Sequence, residues 1–339
     1  MQPPNPQPIT LSKNPLSGRE PGIEKGVLLA VSGGPDSTAM AHAMVHSPVL
    51  NKSSKWVLAH INHGLRQKES EADLEFVADL AEKLGKETGK QVLFESKSLA
   101  PGEIPETGLE AHARNIRYSW LDQTAHSLGI SWVFTGHTRS DQAETLIMRM
   151  LRGAGWKGMR GIQAERKLGL TTGVFRPLLN FSRDQVLAYC QHYGLSFRED
   201  SSNRNNTFLR NRIRNHLLPS LSAEFGGNLE EALASLSRMA GIFYPREVEL
   251  AGASLRALEK PRAGKQIVLD LEELKRINSR DFSAAMIALW TREGWPLDAI
   301  PRKRWEKLTS QITKSGYKED LPGGIRLEVF SRTAVLTPA

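Results

Sequence analysis

The 339-residue chain is 40 % hydrophobic and 24 % charged and carries a net charge of +8, the profile of a globular protein with a basic surplus. Its single cysteine, Cys190, excludes an internal disulfide and a cysteine-ligated zinc site, and no apolar run reaches membrane-spanning length. The surplus of cations points to a polyanionic partner or a phosphate-bearing substrate, and the chain reads as cytoplasmic, with no membrane partner.

Residues 1–22 are rich in Pro, Asn and Ser and have no apolar stretch, so they read as a disordered tail and not as a signal peptide. Val27 to Val31 is an uninterrupted apolar run, the signature of a strand buried on both faces of a parallel sheet. It stops at Ser32-Gly33-Gly34-Pro35-Asp36-Ser37-Thr38, and a helix continues through Val45. Further strands are predicted at Trp56–Ile61, Gln91–Glu95 and Ser131–Thr135, alternating with helices over Glu69–Lys86, Gly108–Leu128 and the segment after Thr135. The alternation predicts an α/β fold with a parallel sheet, whose ligands bind beyond the carboxyl ends of the strands. In the third helix Leu109, Ala113, Ile116 and Trp120 form one stripe, and Glu110, Arg114, Arg117 and Tyr118 another. A helix over Ser182–Tyr193, with Ser182 as its cap and Val186, Leu187 and Cys190 inward, places the thiol in the core. From Ser220 the character changes to long Ala- and Leu-rich helices, a short strand at Gln266–Leu269 and a terminal hairpin. The expected division is a catalytic domain over 23–219 and a smaller, mainly helical domain over 220–339.

The glycine turn carries the first chemistry. Two glycines permit a sharp turn and close approach of backbone to a ligand, and Pro35 suits the first turn of a helix. Strand, turn and helix N-terminus make a phosphate cradle of backbone N–H groups, to which the hydroxyls of Ser32, Ser37 and Thr38 add donors. The turn has neither a Walker lysine nor the dinucleotide fingerprint. It has Asp36, a carboxylate aimed at phosphates, which implies an intervening Mg²⁺. His60 and His63 end the second strand. A metal pair is one reading, and a strand-end histidine satisfied by a backbone carbonyl is the other, favoured because no third ligand is suitably spaced. Asp141 and Glu144, three apart, share one helix face; they read as a capping box, Asp141 the cap, and also as an anionic surface at the ligand edge. Arg152 to Gly161, with Lys157, Arg160 and Trp156 among four glycines, reads as a flexible basic loop suited to RNA. Arg198, Arg204, Arg210, Arg212 and Arg214 form the densest cationic stretch, matched to phosphate oxygens.

The string SGGPDS resembles the signature of the PP-loop ATP pyrophosphatases, which split ATP between its α and β phosphates. HINHGLR at 60–66, LEAHARNIRY at 109–118, GHTRSDQAET at 136–145, the RGAGWKGMRGI loop, FRPLL at 175–179 and EDSSN followed by RNRIR are similar to the tRNA(Ile)-lysidine synthetases, in that family's order. The resemblance covers about 25–219 and, more weakly, LPGGIRLEV near the end. It implies that ATP adenylates the wobble cytidine of the CAU anticodon of a minor isoleucine tRNA and that free L-lysine then displaces AMP. The cofactors it implies are ATP and Mg²⁺. In that frame Ser32, Gly33, Gly34, Pro35, Asp36, Ser37, Thr38, His60, Asn62 and His63 line the nucleotide site, with Asp36 on the metal and Arg114 neutralising the phosphates. Asp141 and Glu144 would hold or deprotonate the lysine amine. Ser140 stands where the family has the first of two consecutive aspartates, and it can still cap the helix beginning near Asp141. The oligomeric state stays open, a homodimer included. A PP-loop tRNA thiolase is the nearest alternative, and the lone Cys190 argues against it. A non-catalytic RNA-binding protein is the other, and the complete glycine loop argues against that.

Overall fold

The computed structural model describes residues 22–62, 67–99, 109–198, 208–226, 228–262, 264–297, 300 and 302–338. Residues 1–21 of the expected tail, His63 and Arg204 lie outside the described residues. In chain order the elements are β1 (Val27–Ala30), α1 (Pro35–Val45), β2 (Trp56–Asn62), α2 (Gln67–Thr88), β3 (Val92–Ser98), α3 (Leu109–Ser127), β4 (Trp132–Thr135), α4 (Arg139–Leu151) and the single turn α5 (Trp156–Met159). Then follow β5 (Glu165–Lys167), β6 (Gly173–Phe175), α6 (Arg183–His192), α7 (Leu209–Arg212), a π-helical turn at Ile213–Leu217, and α8 (Leu218–Phe225). The last elements are α9 (Leu229–Leu258), β7 (Ile267–Asp270), α10 (Leu271–Arg276), α11 (Ser279–Glu293), α12 (Arg302–Gln311), β8 (Lys318–Leu321), β9 (Ile325–Val329) and β10 (Thr333–Pro338). None of the described helices is long and apolar enough to cross a membrane.

The first sheet has the order β3-β2-β1-β4-β6-β5. All neighbours are parallel except β5, which runs antiparallel to β6. Val27, Leu28, Leu29, Val57 and Leu58 are fully buried, as the unbroken apolar runs require when both sheet faces are covered. On one face Leu29, Leu58 and Phe134 pack with Met40 and Met44 of α1, Val77 and Leu84 of α2, and Val186 and Cys190 of α6. On the other, Leu28, Val57 and Val133 pack with Tyr118, Leu121 and Ala125 of α3. The buried stripe of α3 is therefore Tyr118–Leu121–Ala125, with Trp120 of the expected stripe packed half-buried against the same core: the aromatic ring on the polar-looking side faces the sheet. Cys190 is buried, and burial pushes its thiol up to about 11, so it belongs to the core.

The order places β1 and β4 side by side, the one returning to β2 and β3, the other leading to β6. That is a topological switch point, where doubly wound sheets open a crevice at their carboxyl edge.

The chain divides into two compact units between Arg238 and Met239, inside α9. The change of character at Ser220 is not this division, because α8 and the first third of α9 stay with the sheet domain. Leu218, Leu229 and Leu233 pack with Ile213, Ala143 and Ile147, and the Ser237 hydroxyl accepts from Gln142 Nε2 at 2.7 Å. The second unit has its own antiparallel sheet, β7-β10-β9-β8. Its core centres on Trp290, which meets Trp295 and Trp305 edge-on at 4.8 and 5.0 Å between centroids. β8, sequence KEDL, is an edge strand whose polar composition gave no sequence signal.

Candidate active site

The turn after β1 is held by its own side chains. Ser37 Oγ donates to the Gly34 carbonyl at 3.0 Å and accepts from the Ser32 N–H at 3.1 Å. Thr38 Oγ1 donates to the Gly33 carbonyl at 3.2 Å, and the Arg198 N–H donates to the same carbonyl at 2.9 Å. Gly33 has φ +89°, a conformation that disfavours any side chain. The hydroxyls of Ser37 and Thr38, expected to face a ligand, thus brace the loop from inside. Gly34 is the N-cap of α1 and supplies no capping side chain, so the first-turn N–H groups are left to an anion.

Gly136, at the end of β4, lies against this loop. A Cβ there would sit 3.0 Å from both C and O of Asp36 and 3.1 Å from Ser37 Cα. These are backbone atoms, so the loop itself would have to move. Gly136→Ala is expected to cost about 1–3 kcal/mol and to weaken nucleotide binding more than it lowers the melting temperature. Equilibrium dialysis with ATP beside a thermal melt checks both.

The loop lines a cleft of 1180 Å³ shared by His60, Asn62, Arg114, His137, Asp141, Arg183, Arg198, Arg210 and Arg214. His60 Nδ1–H donates to the Val31 carbonyl at 2.9 Å, and burial lowers its pKa. This is the carbonyl-satisfied histidine of the second reading, and its neighbour His63 is outside the described residues. His137 bonds Thr135 Oγ1 through Nδ1 at 2.9 Å and is neutral, held far below its ordinary pKa by burial. Asn62 is buried at the mouth of β2.

Asp36 Oδ1 is buried with no hydrogen-bond partner among the described residues, and Oδ2 is 3.9 Å from Arg183 Nη1. Burial first, then the Asp141 carboxylate, raises the Asp36 pKa to about 6, against the opposing pull of Arg183 and Arg214. A buried carboxylate oxygen with nothing to bond, beside a phosphate cradle, is the donor set of a Mg²⁺ that takes one carboxylate plus phosphate oxygens and waters. The residues fit that ion.

A cationic wall stands on α3. Tyr118 lies beneath Arg114, Arg117 and Arg166, whose guanidinium carbons are 4.9, 5.9 and 4.4 Å from its ring centroid. Burial would raise its phenol, yet Arg114, Arg176 and Arg117 bring it below its usual value. Arg114 is exposed at the cleft, where a phosphate would meet it.

At α4 the expected capping box, Asp141 with Glu144, is not the one formed; the box lies three residues earlier. Thr138 is the N-cap, its side chain accepting from the Asp141 N–H while Asp141 Oδ2 accepts from the Thr138 N–H at 2.8 Å. Asp141 is thus the third helical residue, not the cap. Ser140 does not cap the helix either; its Oγ accepts from the Arg183 N–H at 3.1 Å, joining α4 to α6. Glu144 and Asp141 face two arginines four residues apart, Arg210 in α7 and Arg214 in the π-helical turn that continues it. Arg210 donates to Glu144 Oε2 through Nε at 2.7 Å and to Asp141 Oδ1 through Nη2 at 2.9 Å. Arg214 donates to both Glu144 oxygens and reaches Asp141 Oδ1 at 3.2 Å. Burial would raise the Asp141 carboxyl, but Arg210, the Thr138 N–H and Arg214 hold it below its ordinary value.

The residues expected to grip RNA therefore separate. Arg210 and Arg214 turn inward to carboxylates, Arg198 pairs with Asp73 at 2.9 Å beside the glycine loop, and Arg160 bonds Gln163 at 2.7 Å. Arg152, Lys157 and Arg212 are exposed. The glycine-rich stretch folds into α5, pinned by Arg149 Nη1 on the carbonyls of Gly158 and Gly161 at 2.6 and 2.9 Å. Arg183 and His137 were not singled out in the sequence; their signal was position, at a helix start and a strand end on the same sheet edge.

A doubly wound sheet with a lysine-free phosphate cradle at its switch point defines a PP-loop nucleotide-binding protein. The family profile of the PP-loop domain matches residues 13–221. A tRNA(Ile)-lysidine synthase from Thermosynechococcus vestitus is 34 % identical over 312 residues, 90 % of this chain and 84 % of that protein. One from Salinispora tropica is 34 % identical across 92 % of this chain and 90 % of its own length. One from Symbiobacterium thermophilum is 43 % identical over 218 residues, 63 % of this chain but only 43 % of that protein. Several such relatives are matched over less than half their length. A solved U34-tRNA thiolase, NcsA from Methanococcus maripaludis, shares the fold at a TM-score of 0.50 and 17 % identity, over 63 % of this chain and 72 % of its own. The chain belongs to the tRNA(Ile)-lysidine synthase family of PP-loop proteins.

Proposed function

We propose that this chain uses ATP to attach free lysine to the wobble cytidine of a CAU-anticodon isoleucine tRNA, through an adenylated tRNA. The observation that carries the reading is the backbone cradle beside the unpartnered Asp36 oxygen, in one cleft with Arg114 and the Asp141–Glu144 pair. In the first step the cytidine carbonyl oxygen bonds to the α-phosphorus, and the α–β bridge breaks to release pyrophosphate. Asp36 and the phosphates would hold Mg²⁺, which supplies charge neutralisation. The first-turn amides of α1 and Arg114 stabilise the charge on the departing pyrophosphate with donors already in place. In the second step the lysine nitrogen bonds to the cytidine carbon and the bond to AMP breaks. The amine must shed a proton, and Asp141 and Glu144 are the carboxylates at hand; a lysine ammonium would share Asp141 with Arg210 and Arg214.

Exposed Arg152 and Lys157 beside half-exposed Trp156 suit RNA backbone and base contacts, and the second unit is assigned to tRNA binding. The reaction would take place in the cytoplasm. A thiolase reading gains nothing from the fold likeness, since Cys190 is the only cysteine and its thiol is buried and protonated.

Incubation with ATP, Mg²⁺, lysine and the isoleucine tRNA is expected to give AMP, pyrophosphate and a tRNA heavier by one lysine less water. ADP as the main nucleotide product, or an unchanged tRNA mass alongside ATP consumption, overturns the reading.

A further inference from the structure

At the end of α1 away from the glycine turn, two histidines and a carboxylate converge. His42 is buried in the last turn of α1, His46 is its C-terminal cap residue, and Glu87 lies in the last turn of α2. The imidazoles stack at 4.2 Å between centroids, and His46 Nε2 is 3.9 Å from Glu87 Oε2. One ligand atom from each residue lies within 4.8 Å of the other two. Spacing of four residues puts both rings on one face of the helix, as two-histidine metal sites on helices require.

The rings are also oriented from behind. His46 Nδ1–H donates to the His42 carbonyl at 2.9 Å, which fixes the tautomer and leaves the Nε2 lone pair outward. His42 Nδ1 meets the Tyr189 hydroxyl at 2.8 Å, and a phenol oxygen can accept as well as donate, so the same tautomer is open to His42. Burial foremost, then His46 and Lys83, brings the His42 pKa down to about 4, which keeps it a neutral ligand at pH 7. Lys83 Nζ, 3.8 Å from Glu87 Oε1, is the cation a bound metal would displace. His46 and Glu87 are more than a third exposed, which leaves an entry path.

We propose that His42, His46 and Glu87 bind a divalent transition metal ion, zinc foremost, that clips the end of α1 to the end of α2. Two imidazoles and one carboxylate suit zinc, nickel or copper over magnesium or calcium, and three protein ligands leave a fourth position to water. The ordinary alternative is a core histidine satisfied by Tyr189 beside a surface His46–Glu87 pair, with no affinity for metal.

The test uses the full chain at pH 7.5 with excess Mg²⁺, titrated with Zn²⁺ alone by calorimetry and followed at the zinc absorption edge. One zinc per chain with two imidazole ligands is expected. His46→Ala, at an exposed position that should not disturb folding, should weaken binding roughly tenfold or more, and Glu87→Gln should weaken it less. His216→Ala, an exposed histidine elsewhere, should leave it unchanged. Zinc should also raise the melting temperature of wild type but not of His46→Ala, by simple linkage. Binding by His46→Ala as tight as wild type, or a zinc spectrum without imidazole, overturns the proposal, as does an absence of binding up to about 1 mM, the weak end of useful affinity.

Discussion

Asp36→Asn should abolish ATP–pyrophosphate exchange, by roughly a thousandfold, the scale of losing a preorganised charge-stabilising group, and should at the same time make the metal-free protein more stable at pH 7.5. Both follow from one carboxylate. Its folded pKa of about 6 lies above the ordinary 3.8. Below 3.8 the group is protonated whether the chain is folded or not, and ionisation costs nothing. Between 3.8 and 6 the cost grows, and above 6 it is complete, about 3 kcal/mol at 1.36 kcal/mol per pKa unit. Asn is uncharged at every pH, so the variant's advantage should be present at pH 7.5 and gone near pH 4. Mg²⁺ with ATP should stabilise wild type strongly and the variant little. Melting curves at the two pH values, with and without MgATP, carry the test. A variant with wild-type exchange, or one less stable at pH 7.5 than the parent, removes the metal-holding role of Asp36.

The second large effect is expected at Glu144. Its side chain is 1 % exposed and accepts from both Arg210 and Arg214. Glu144→Ala leaves two part-buried guanidinium groups with Asp141 as their remaining carboxylate among the described residues, and breaking a buried pair from one side costs about 3–5 kcal/mol. Because both arginines are about a quarter exposed, the lower end of that range applies. Replacing Arg210 and Arg214 by Met in the Glu144→Ala background should recover much of the loss, since the penalty comes from uncompensated charge and not from lost packing. Denaturant unfolding of the single, double and triple variants decides it, and simple additivity of the losses would show that the cluster is not coupled. Asp141→Asn should instead fold and fail at lysine-dependent discharge of preformed adenylated tRNA. Discharge at the wild-type rate would leave Asp141 as a capping residue alone.

The same cluster shows where sequence reasoning stopped. Thr138-x-x-Asp141 and Asp141-x-x-Glu144 both satisfy a capping pattern, and nothing local chooses between them. The choice is made by Arg210 and Arg214, 66 to 73 residues away in the chain, which claim Glu144 and Asp141 Oδ1 and leave Asp141 Oδ2 to Thr138. The arginine-rich stretch has few acids in its own neighbourhood, whereas the partners of Arg210 and Arg214 come from α4 and that of Arg198 from α2. What was legible had a local cause. Val27 to Leu29 announced a doubly buried strand, the glycine turn announced the cradle, and three polar segments at strand ends announced the crevice. β5 and β8 gave no signal, because ERK and KEDL are polar edge strands whose pairing depends on the neighbour they meet. The break between units was misplaced for a similar reason: Leu218, Leu229 and Leu233 look like any helical leucines until Ala143 and Ile147 give them a surface.

The cradle's donors are peptide groups, and that choice governs how the site can vary. A lysine in their place would be one codon from loss, open to acetylation and tied to its own protonation. An amide N–H of α1 carries no proton that leaves in the physiological range and no side chain that a point mutation can delete. Anion affinity there is written into chain geometry, through Ser37 and Thr38 inside the loop and the bare Cα of Gly136 behind it. Genetic change can reach it only indirectly, by deforming the turn, so drift in this lineage should show as altered neighbours around an unaltered grip.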